Sequence, residues 1–154
     1  MGTVSLTRVK LFTDGACRGN PGPGGWAYLL EFAERSAERF GAASQTTNNR
    51  MELQAAIEGL RALAEPAHVE VWSDSRYVID GMKSWLANWK RRGWKTADRQ
   101  PVKNEDLWRA LDNEAGRHHV TWHWVRGHSD HPQNERCDRL ANQAIDEMNA
   151  ARRA

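Results

Sequence analysis

Short apolar runs separated by turn residues mark the N-terminal part of the chain, a pattern typical of β-strands. Residues 9–13 alternate weakly between apolar and polar and run into an Asp-Gly turn. Residues 26–32 predict a second strand and residues 38–43 a third, while the Gly/Pro-rich residues 19–25 predict a loop between the first two. The pattern therefore predicts an antiparallel meander of three strands.

Segments with helical spacing follow from residue 46 onward. Residues 46–49 offer capping side chains, and the apolar positions from Met51 to Leu63 then recur on one helix face. The further predicted elements, in chain order, are a strand at 69–72, a helix at 77–94 with breaks at Gly81 and Gly93, a helix at 105–117 capped by Asn104, a strand at 120–125 and a helix at 134–152. This order predicts a mixed α/β domain.

Length and composition limit the protein class. The 154 residues suit one domain spanning residues 1–154, because single domains run to about 100–200 residues. The apolar run at residues 26–30 is too short to cross a membrane and the first residues lack a secretory signal, so we expect a cytoplasmic protein without membrane attachment. Cys17 and Cys137 lie far apart without CxxC spacing, which favours reduced thiols.

Four acidic residues stand where α/β folds display functional side chains. Asp14 and Asp74 each follow an apolar strand, and Glu52 and Asp138 each lie about one turn into a predicted helix. If these elements meet at one sheet edge, the carboxylates converge and their repulsion requires a cation. Mg²⁺ prefers oxygen ligands, and two such ions about 3.5–4 Å apart can promote phosphodiester hydrolysis.

Each of these acids also has an ordinary structural interpretation. For Asp14 the alternative is a turn, and for Glu52 it is part of a helix-start cap. For Asp74 it is a cap of the following helix, and for Asp138 it is a favourable place at a helix N-terminus. Spacing alone therefore leaves a metal site and four local roles open.

The net charge of +2 is an average over two opposed parts of the chain. Residues 83–103, which we call the basic segment, contain seven Lys and Arg and one Asp, a local charge of +6, so the remaining residues carry −4. Trp85, Trp89 and Trp94, three of the eight tryptophans, are interleaved with these cations. Such a mixture predicts a surface that binds nucleic acid, although a solvated helix face over a small tryptophan core is the plainer alternative.

A series of motifs, in the same order along the chain, resembles ribonuclease H type 1, specifically the bacterial ribonuclease HI enzymes. The resemblance runs from about residue 9 to about residue 148. The motifs are Phe12-Thr-Asp14-Gly, residues 19–25 (GNPGPGG), residues 46–52 (TTNNRME), Ser73-Asp74-Ser75, residues 85–98, residues 102–108 (VKNEDLW), residues 124–128 (WVRGH) and residues 134–138 (NERCD).

The resemblance implies an α/β ribonuclease-H-like fold with a five-stranded mixed sheet, three strands antiparallel and two parallel, flanked by helices. It implies endonucleolytic cleavage of the RNA strand of RNA–DNA hybrids to 5′-phosphate and 3′-hydroxyl products. The cofactor would be Mg²⁺, as one or two ions, with Mn²⁺ as a substitute. The residues that match the metal-binding catalytic acids are Asp14, Glu52, Asp74 and Asp138.

His128 matches a loop histidine thought to assist proton transfer or product release in that family. Its neighbours are rich in Gly, Ser, Asp and Pro, which favours a mobile loop, and imidazole titrates near neutral pH. Asp130 departs from the small residues common at its position, and we hypothesise that it favours the protonated imidazole. A solvated surface histidine is one alternative, and a zinc site with His131 and Cys137 is another, although no fourth soft ligand lies nearby.

The resemblance also implies contacts to the substrate. Asn20, Asn48 and Asn49 match residues at the minor groove or backbone of the hybrid, and Thr47 matches a contact to a DNA phosphate. Amide side chains suit the 2′-hydroxyl, which both donates and accepts hydrogen bonds, although turn and cap roles remain open for the asparagines. Arg76 stands where many members carry Gln, and it keeps the donors but loses the acceptor.

The basic segment matches the basic protrusion of the bacterial enzymes. Trp85 matches a tryptophan that lies along the DNA strand, whereas Trp89 and Trp108 are expected to be structural. The further substrate contacts expected in this segment are Lys90, Arg91, Arg92, Trp94 and Lys95. We expect a monomer without an obligate protein partner. The rival interpretations are a catalytically inactive hybrid-binding module and a nuclease of the wider fold that cuts DNA.

Overall fold

The protein is built on a five-stranded sheet with the spatial strand order β3-β2-β1-β4-β5. The computed structural model describes residues 6–126 and 131–153. The strands are β1 (Thr7–Cys17), β2 (Gly22–Glu31), β3 (Ser36–Thr46), β4 (Ala67–Ser73) and β5 (His119–Trp124). β1, β2 and β3 form an antiparallel meander, and β4 and β5 continue the sheet parallel to β1. The predicted mixed sheet is therefore confirmed.

Helices flank this sheet in the described part of the chain. They are α1 (Asn48–Arg61), α2 (Arg76–Asp80), α3 (Leu86–Arg91), α4 (Glu105–Ala115) and α5 (Pro132–Arg153). A π-helical turn at Gly81–Trp85 joins α2 to α3, so the regular α-helix is interrupted at Gly81, one of the two predicted breaks. Asn104 is the N-cap residue of α4, as predicted, although its side chain makes no capping hydrogen bond. None of the described helices is long and apolar enough to cross a membrane.

The loop in the glycine-rich stretch is shorter than the sequence pattern predicted. β2 already starts at Gly22, and Gly24 and Gly25 pair with β1, so the loop predicted at 19–25 is wrong beyond residue 21. Gly25 also permits the close approach of α5, because a Cβ at this position would overlap with the carbonyl oxygen of Ala141. Glycine here serves close packing within a strand.

Apolar layers lie on both faces of the sheet. Alternate residues of β1 point to opposite sides, so Leu11 packs with Leu53 and Leu60 of α1, whereas Phe12 packs with Leu140 of α5. α1 and α5 therefore cover opposite faces of the same strand. Both helices can contribute side chains to the sheet edge where β4 ends.

Aromatic rings support the base of the basic segment. Trp108 of α4 is fully buried, and the ring of Trp89 packs edge-on against it with centroids 5.2 Å apart. The Tyr77 hydroxyl accepts hydrogen bonds from Trp108 Nε1 and Asn104 Nδ2, each at 3.0 Å. Trp89 and Trp108 are thus structural, as predicted, and the Asn104 side chain bonds this cluster instead of the first N–H groups of α4.

Candidate active site

Asp14 and Asp74 are neighbours because their strands are neighbours and parallel. The register of β1 and β4 pairs Phe12 with Trp72, and each aspartate lies two residues beyond its member of that pair. Asp14 is 3% exposed, while Asp74 is half-buried. Parallel strands present their carboxyl ends at the same edge of a sheet, which is where α/β proteins bind ligands.

Glu52 reaches these aspartates from the first turns of α1. The Thr47 hydroxyl caps the helix by accepting a hydrogen bond from the Arg50 N–H at 3.3 Å. The Gly15 N–H donates to Glu52 Oε1 at 2.8 Å and so ties the helix to β1. A Cβ at Gly15 would lie 2.5 Å from the Glu52 nitrogen, so only glycine allows this approach.

These acids converge on one open pocket of about 350 Å³. One oxygen from each of Asp14, Glu52 and Asp74 lies within 4.8 Å of the other two. Asp138 of α5 lines the same pocket but lies outside this tight group. The remaining lining residues are small, amide or polar side chains and one arginine, namely Gly15, Asn48, Asn49, Ser75, Arg76 and Tyr77.

The electrostatics of the pocket favour a cation. Burial raises the pKa of Asp14 to about 8, and the negative charge of Asp74 contributes to this rise. Burial likewise holds the pKa of Glu52 well above its usual range, with an added contribution from Asp14. Asp14 Oδ2 and Glu52 Oε2 are buried without a hydrogen-bond partner among the described residues. Buried carboxylates with unpartnered oxygens fit a hard divalent cation, which would neutralise them and bind their lone pairs.

Asn134 fixes the start of α5 against the sheet and was missed from the sequence as a functional residue. Its Nδ2 donates to the carbonyl oxygens of Trp72 at 3.1 Å and Thr13 at 3.4 Å, the residues just before Ser73 and Asp14. Asn134 is 1% exposed and lies one helical turn before Asp138. The sequence signal that could have identified Asn134 as a functional residue is its place in the motif at 134–138.

The amide-bearing rim of the pocket is formed by two adjacent segments. Asn20 Oδ1 accepts a hydrogen bond from the Asn48 N–H at 3.1 Å, which joins the turn before β2 to the start of α1. Asn20, Asn48 and Asn49 are exposed, whereas Thr47 is half-buried and caps α1. The structure thus brings these four predicted residues together beside Glu52, and it gives Thr47 and Asn20 local structural bonds as well.

Arg76 also lines the pocket, and Trp124 lies beside it. The Arg76 guanidinium carbon lies 4.6 Å from the centre of the Trp124 ring, and Arg76 Nε lies 3.5 Å from Asp80 Oδ2. Trp124 Nε1 donates to the Asp74 carbonyl oxygen at 3.2 Å. Ser75 Oγ caps α2 by accepting a hydrogen bond from the Val78 N–H. Trp124 was not predicted as a site residue, because its partners become visible only when β4 and β5 pair.

The cations of the basic segment lie at the surface. Lys90 forms an ion pair of 3.2 Å with Asp112, and Arg91 donates a hydrogen bond to Asn88. Trp85 is 37% exposed, and its ring lies 5.9 Å from that of Tyr77, which lines the carboxylate pocket. The surface from the pocket to the basic segment is therefore continuous through these rings. Arg92 and Lys95 extend the exposed positive charge.

Trp94 differs from the other predicted contacts in this segment. Its side chain is only 9% exposed and belongs to the main apolar core, with Arg109 stacked over the ring at 4.7 Å. A buried ring cannot lie against a nucleic acid, so the expectation that Trp94 contacts the substrate is corrected. Trp94 instead supports the loop that carries Lys95.

His128 and Asp130 lie outside the described residues, so their predicted roles stay predictions. The surroundings of Cys137 do not support the alternative of a zinc site. Cys137 is fully buried, its thiol contacts the Phe12 carbonyl oxygen at 3.4 Å, and burial raises the pKa of that thiol. His131 stacks against Trp72 with centroids 5.5 Å apart. Cys17 and Cys137 are both free thiols, as predicted.

Sequence comparison relates the chain to one enzyme family. The model of the RNase H family matches residues 7–146. A protein named Ribonuclease H from Bordetella bronchiseptica is 59% identical over 139 residues, 90% of each chain. Another, from Rhizobium meliloti, is 54% identical over 149 residues, 97% of each chain. These relatives match the chain along almost their whole length.

Two solved structures of RNase H proteins share the fold of this chain. The structure of LC9-RNase H1, described as a type 1 RNase H with the type 2 active-site motif, aligns with a TM-score of 0.85 and 34% identity over 95% of this chain and 75% of that one. LC11-RNase H1, solved in complex with an RNA/DNA hybrid, aligns with a TM-score of 0.68 and 22% identity over 91% of this chain and 98% of that one. The second likeness extends to the fold alone.

Proposed function

The chain belongs to the ribonuclease H family, and we propose that Asp14, Glu52, Asp74 and Asp138 form its active site with Mg²⁺. It is an endonuclease that hydrolyses the RNA strand of RNA–DNA hybrids, in line with relatives named Ribonuclease H at 54–59% identity. The observation that carries the proposal is the group of three carboxylates whose oxygens lie within 4.8 Å of one another.

The proposed metal ligands divide into a fixed pair and a more open pair. Asp14 and Glu52 are buried and positioned by β1, α1 and Gly15, whereas Asp74 and Asp138 are half-buried and line the same pocket. Mg²⁺ or Mn²⁺ bound there would supply positive charge that neutralises the phosphate, lowers the pKa of an attacking water and stabilises the departing 3′-oxygen. Without that charge Asp14 and Glu52 favour their protonated forms, because burial raises the pKa of Asp14 to about 8 and holds the pKa of Glu52 well above its usual range.

His128 is proposed to carry protons between the pocket and solvent. Its imidazole would accept or donate a proton as the 3′-oxygen departs and the 5′-phosphate product leaves. Asp130 would favour the charged form of this imidazole. The first assignment rests on the place of His128 in the motif at 124–128, and the second on the position of Asp130 two residues after it.

The surroundings of the pocket suit a hybrid duplex. Asn48 and Asn49 present exposed amides beside Glu52, and amides can both donate to and accept from a 2′-hydroxyl. We propose that Asn20 and Thr47 complete this rim. The basic segment would bind phosphates along the duplex, with Trp85 against the DNA strand and Lys90, Arg91, Arg92 and Lys95 providing the charge. The LC11 enzyme, which shares the fold, was solved with an RNA/DNA hybrid, and this supports a hybrid as the ligand.

We also propose that residues 1–154 act as one domain and as a monomer, since one chain supplies all four acids of the pocket. Sedimentation equilibrium should give the mass of a single 17.5 kDa chain.

The test of the proposed function compares three duplexes of one sequence, each labelled on both strands. With Mg²⁺, the RNA strand of the hybrid should be cut to products with 5′-phosphate and 3′-hydroxyl ends, and duplex DNA and duplex RNA should stay intact. Glu52→Gln, which keeps the shape of the side chain, should bind the hybrid without cutting it. Cleavage of duplex DNA would favour a nuclease of different substrate class, and hybrid binding without any cleavage by the unaltered protein would favour an inactive binding module.

A further inference from the structure

Arg76 is the one cation among the described residues that line the carboxylate pocket. Its side chain is 62% exposed, and its contact with Asp80 uses Nε at 3.5 Å. Neither Nη group donates a hydrogen bond to any residue within 6–126 or 131–153. The edge formed by two guanidinium nitrogens binds phosphate oxygens in a bidentate manner, so Arg76 presents a phosphate-binding edge at the mouth of an otherwise acidic pocket.

Trp124 determines where that guanidinium lies. The Arg76 Cζ atom sits 4.6 Å from the centre of the indole ring, a distance at which the ring face attracts a cation. The ring is itself held, because Trp124 Nε1 donates to the Asp74 carbonyl oxygen at 3.2 Å. Backbone pairing reinforces the contact, since Trp124 lies opposite Ser73 in the parallel register. The guanidinium is thus positioned relative to the backbone of one of the pocket acids.

We propose that Trp124 is a positioning residue which holds Arg76 against a phosphate of the RNA strand beside the carboxylates, an inference that rests on the function proposed above. The RNA strand is the one expected at Arg76, because the carboxylates that cut this strand line the same pocket.

Two physical effects make this arrangement favourable. A long arginine side chain loses conformational freedom when it binds, and stacking on an indole that is already fixed reduces that loss. The carboxylates also repel an approaching phosphate, and one positive charge at the pocket mouth offsets part of this repulsion. Both effects act on substrate binding, so they should change KM and leave kcat nearly unaltered.

The first part of the test asks whether Arg76 binds a phosphate. Arg76→Gln should raise KM about tenfold with kcat nearly unchanged. The slope of log kcat/KM against log salt should become shallower by about 0.7–0.9, the value expected when one phosphate is no longer neutralised. Arg76→Lys should keep the slope, since it keeps the charge. An unchanged slope in Arg76→Gln would overturn the phosphate assignment, because a contact to sugar or base carries no such salt dependence.

The second part asks whether Trp124 acts through Arg76. Trp124→Leu should raise KM about threefold in the unaltered protein and should have no further effect when combined with Arg76→Gln. Trp124→Phe keeps a ring face but loses the N–H group, so it should retain most of the affinity. Additive effects of Trp124→Leu and Arg76→Gln on KM, or a fall in kcat alone, would overturn the positioning role. If Trp124→Leu does not fold, Trp124→Met, which also lacks a ring face, replaces it in the same cycle with Arg76→Gln.

A matched control removes an arginine stacked on a ring outside the pocket. Arg35 lies 4.0 Å from the centre of the Phe32 ring at the turn between β2 and β3. Arg35→Gln should leave KM and the salt slope unchanged. Cleavage of the hybrid by the unaltered protein is measured first: its absence would overturn the proposed function, whereas cleavage with additive effects at Arg76 and Trp124 would overturn this inference alone.

Discussion

Gly15 shows how much of the site depends on a single missing Cβ. Its N–H bonds Glu52 at 2.8 Å, and its lack of a side chain lets α1 pack directly against β1. The sequence indicated only a turn at Asp14-Gly15, since a hydrogen bond between positions 37 residues apart leaves no local pattern. The acids themselves could be picked out from the apolar runs and helix starts, but β1 continues to Cys17, so the prediction that Asp14 follows the end of its strand is wrong.

Gly15→Ala should therefore impair catalysis strongly, although the change adds only one methyl group. The new methyl group would force α1 away from β1 and separate Glu52 from Asp14. We expect a loss of about 1–3 kcal/mol in the free energy of unfolding and a fall in kcat of more than about tenfold, because a misplaced catalytic group loses its alignment. Urea unfolding and hybrid cleavage measure the two effects. Gly116→Ala is the control, since a Cβ at Gly116 would meet only the carbonyl oxygens of Asp112 at 3.3 Å and Asn113 at 3.5 Å. Equal kinetics for the two variants would contradict the role of Gly15.

The buried Asp14 predicts a pH effect in the absence of divalent cations. Its pKa is about 8 in the folded protein against an ordinary value of 3.8, so the folded state keeps a proton that the unfolded chain has released. Unfolding then releases a proton, and the stabilisation is complete below about pH 4 and is lost as pH rises to about 8. Thermal unfolding in EDTA should show Tm falling across this interval, more weakly in Asp14→Asn, and Mg²⁺ should restore Tm at pH 8. A Tm in EDTA that is independent of pH in this interval would contradict this account.

At the scale of elements, periodicity located the helices and strands but not their full extent. β1 and β3 each extend beyond the predicted runs, because backbone pairing continues where the side-chain alternation has ended. The π-helical turn after α2 and the attachment of α5 through Asn134 depend on packing between distant segments. No local pattern of apolar residues encodes such packing.

Asn134→Ala tests how α5 carries Asp138 to the pocket. The change removes the hydrogen bonds to the carbonyl oxygens of Thr13 in β1 and Trp72 in β4, which should lower the free energy of unfolding by about 1–3 kcal/mol. It should also lower kcat, because Asp138 lies one turn further along the same helix. Gln143→Ala, an exposed position of α5, should change neither quantity. A variant at Asn134 with unaltered kcat would show that Asp138 is positioned by other residues.

The basic segment should contribute to affinity and not to chemistry. Replacing Lys90, Arg91 and Arg92 with Gln should raise KM and flatten the dependence of log kcat/KM on log salt by about 0.7–0.9 for each phosphate that the variant no longer neutralises. The share of Lys90 should be the smallest, because Asp112 already pairs with it at 3.2 Å. Steady-state kinetics at several salt concentrations measure this.

The control for this triple variant removes the same charge elsewhere. The control variant carries Gln at three exposed positions outside the pocket and the basic segment, namely Arg8, Arg35 and Arg152. It should leave the salt slope unchanged. A slope that falls equally in both variants would indicate that net charge alone, and no surface on the basic segment, attracts the duplex.

At the scale of the whole molecule, a near-neutral protein separates two surfaces of opposite charge. The pocket gathers four carboxylates at the sheet edge, and the cations of residues 83–103 lie on a neighbouring surface connected through Tyr77 and Trp85. The sequence indicated this division through charge distribution, whereas the net charge of +2 concealed it. Trp94 was misjudged because composition cannot distinguish a ring on the surface from one in the core.

The most direct test of the central claim is the rate of RNA-strand cleavage in a hybrid as Mg²⁺ is titrated, for the unaltered protein and for Asp14→Asn. We expect no cleavage in EDTA, a saturable rise with Mg²⁺ for the unaltered protein, and no cleavage at any concentration for the variant, although it folds and binds the hybrid. Cleavage that persists in EDTA, or an Asp14→Asn variant that cuts at the normal rate, would contradict a metal-dependent site built on these carboxylates.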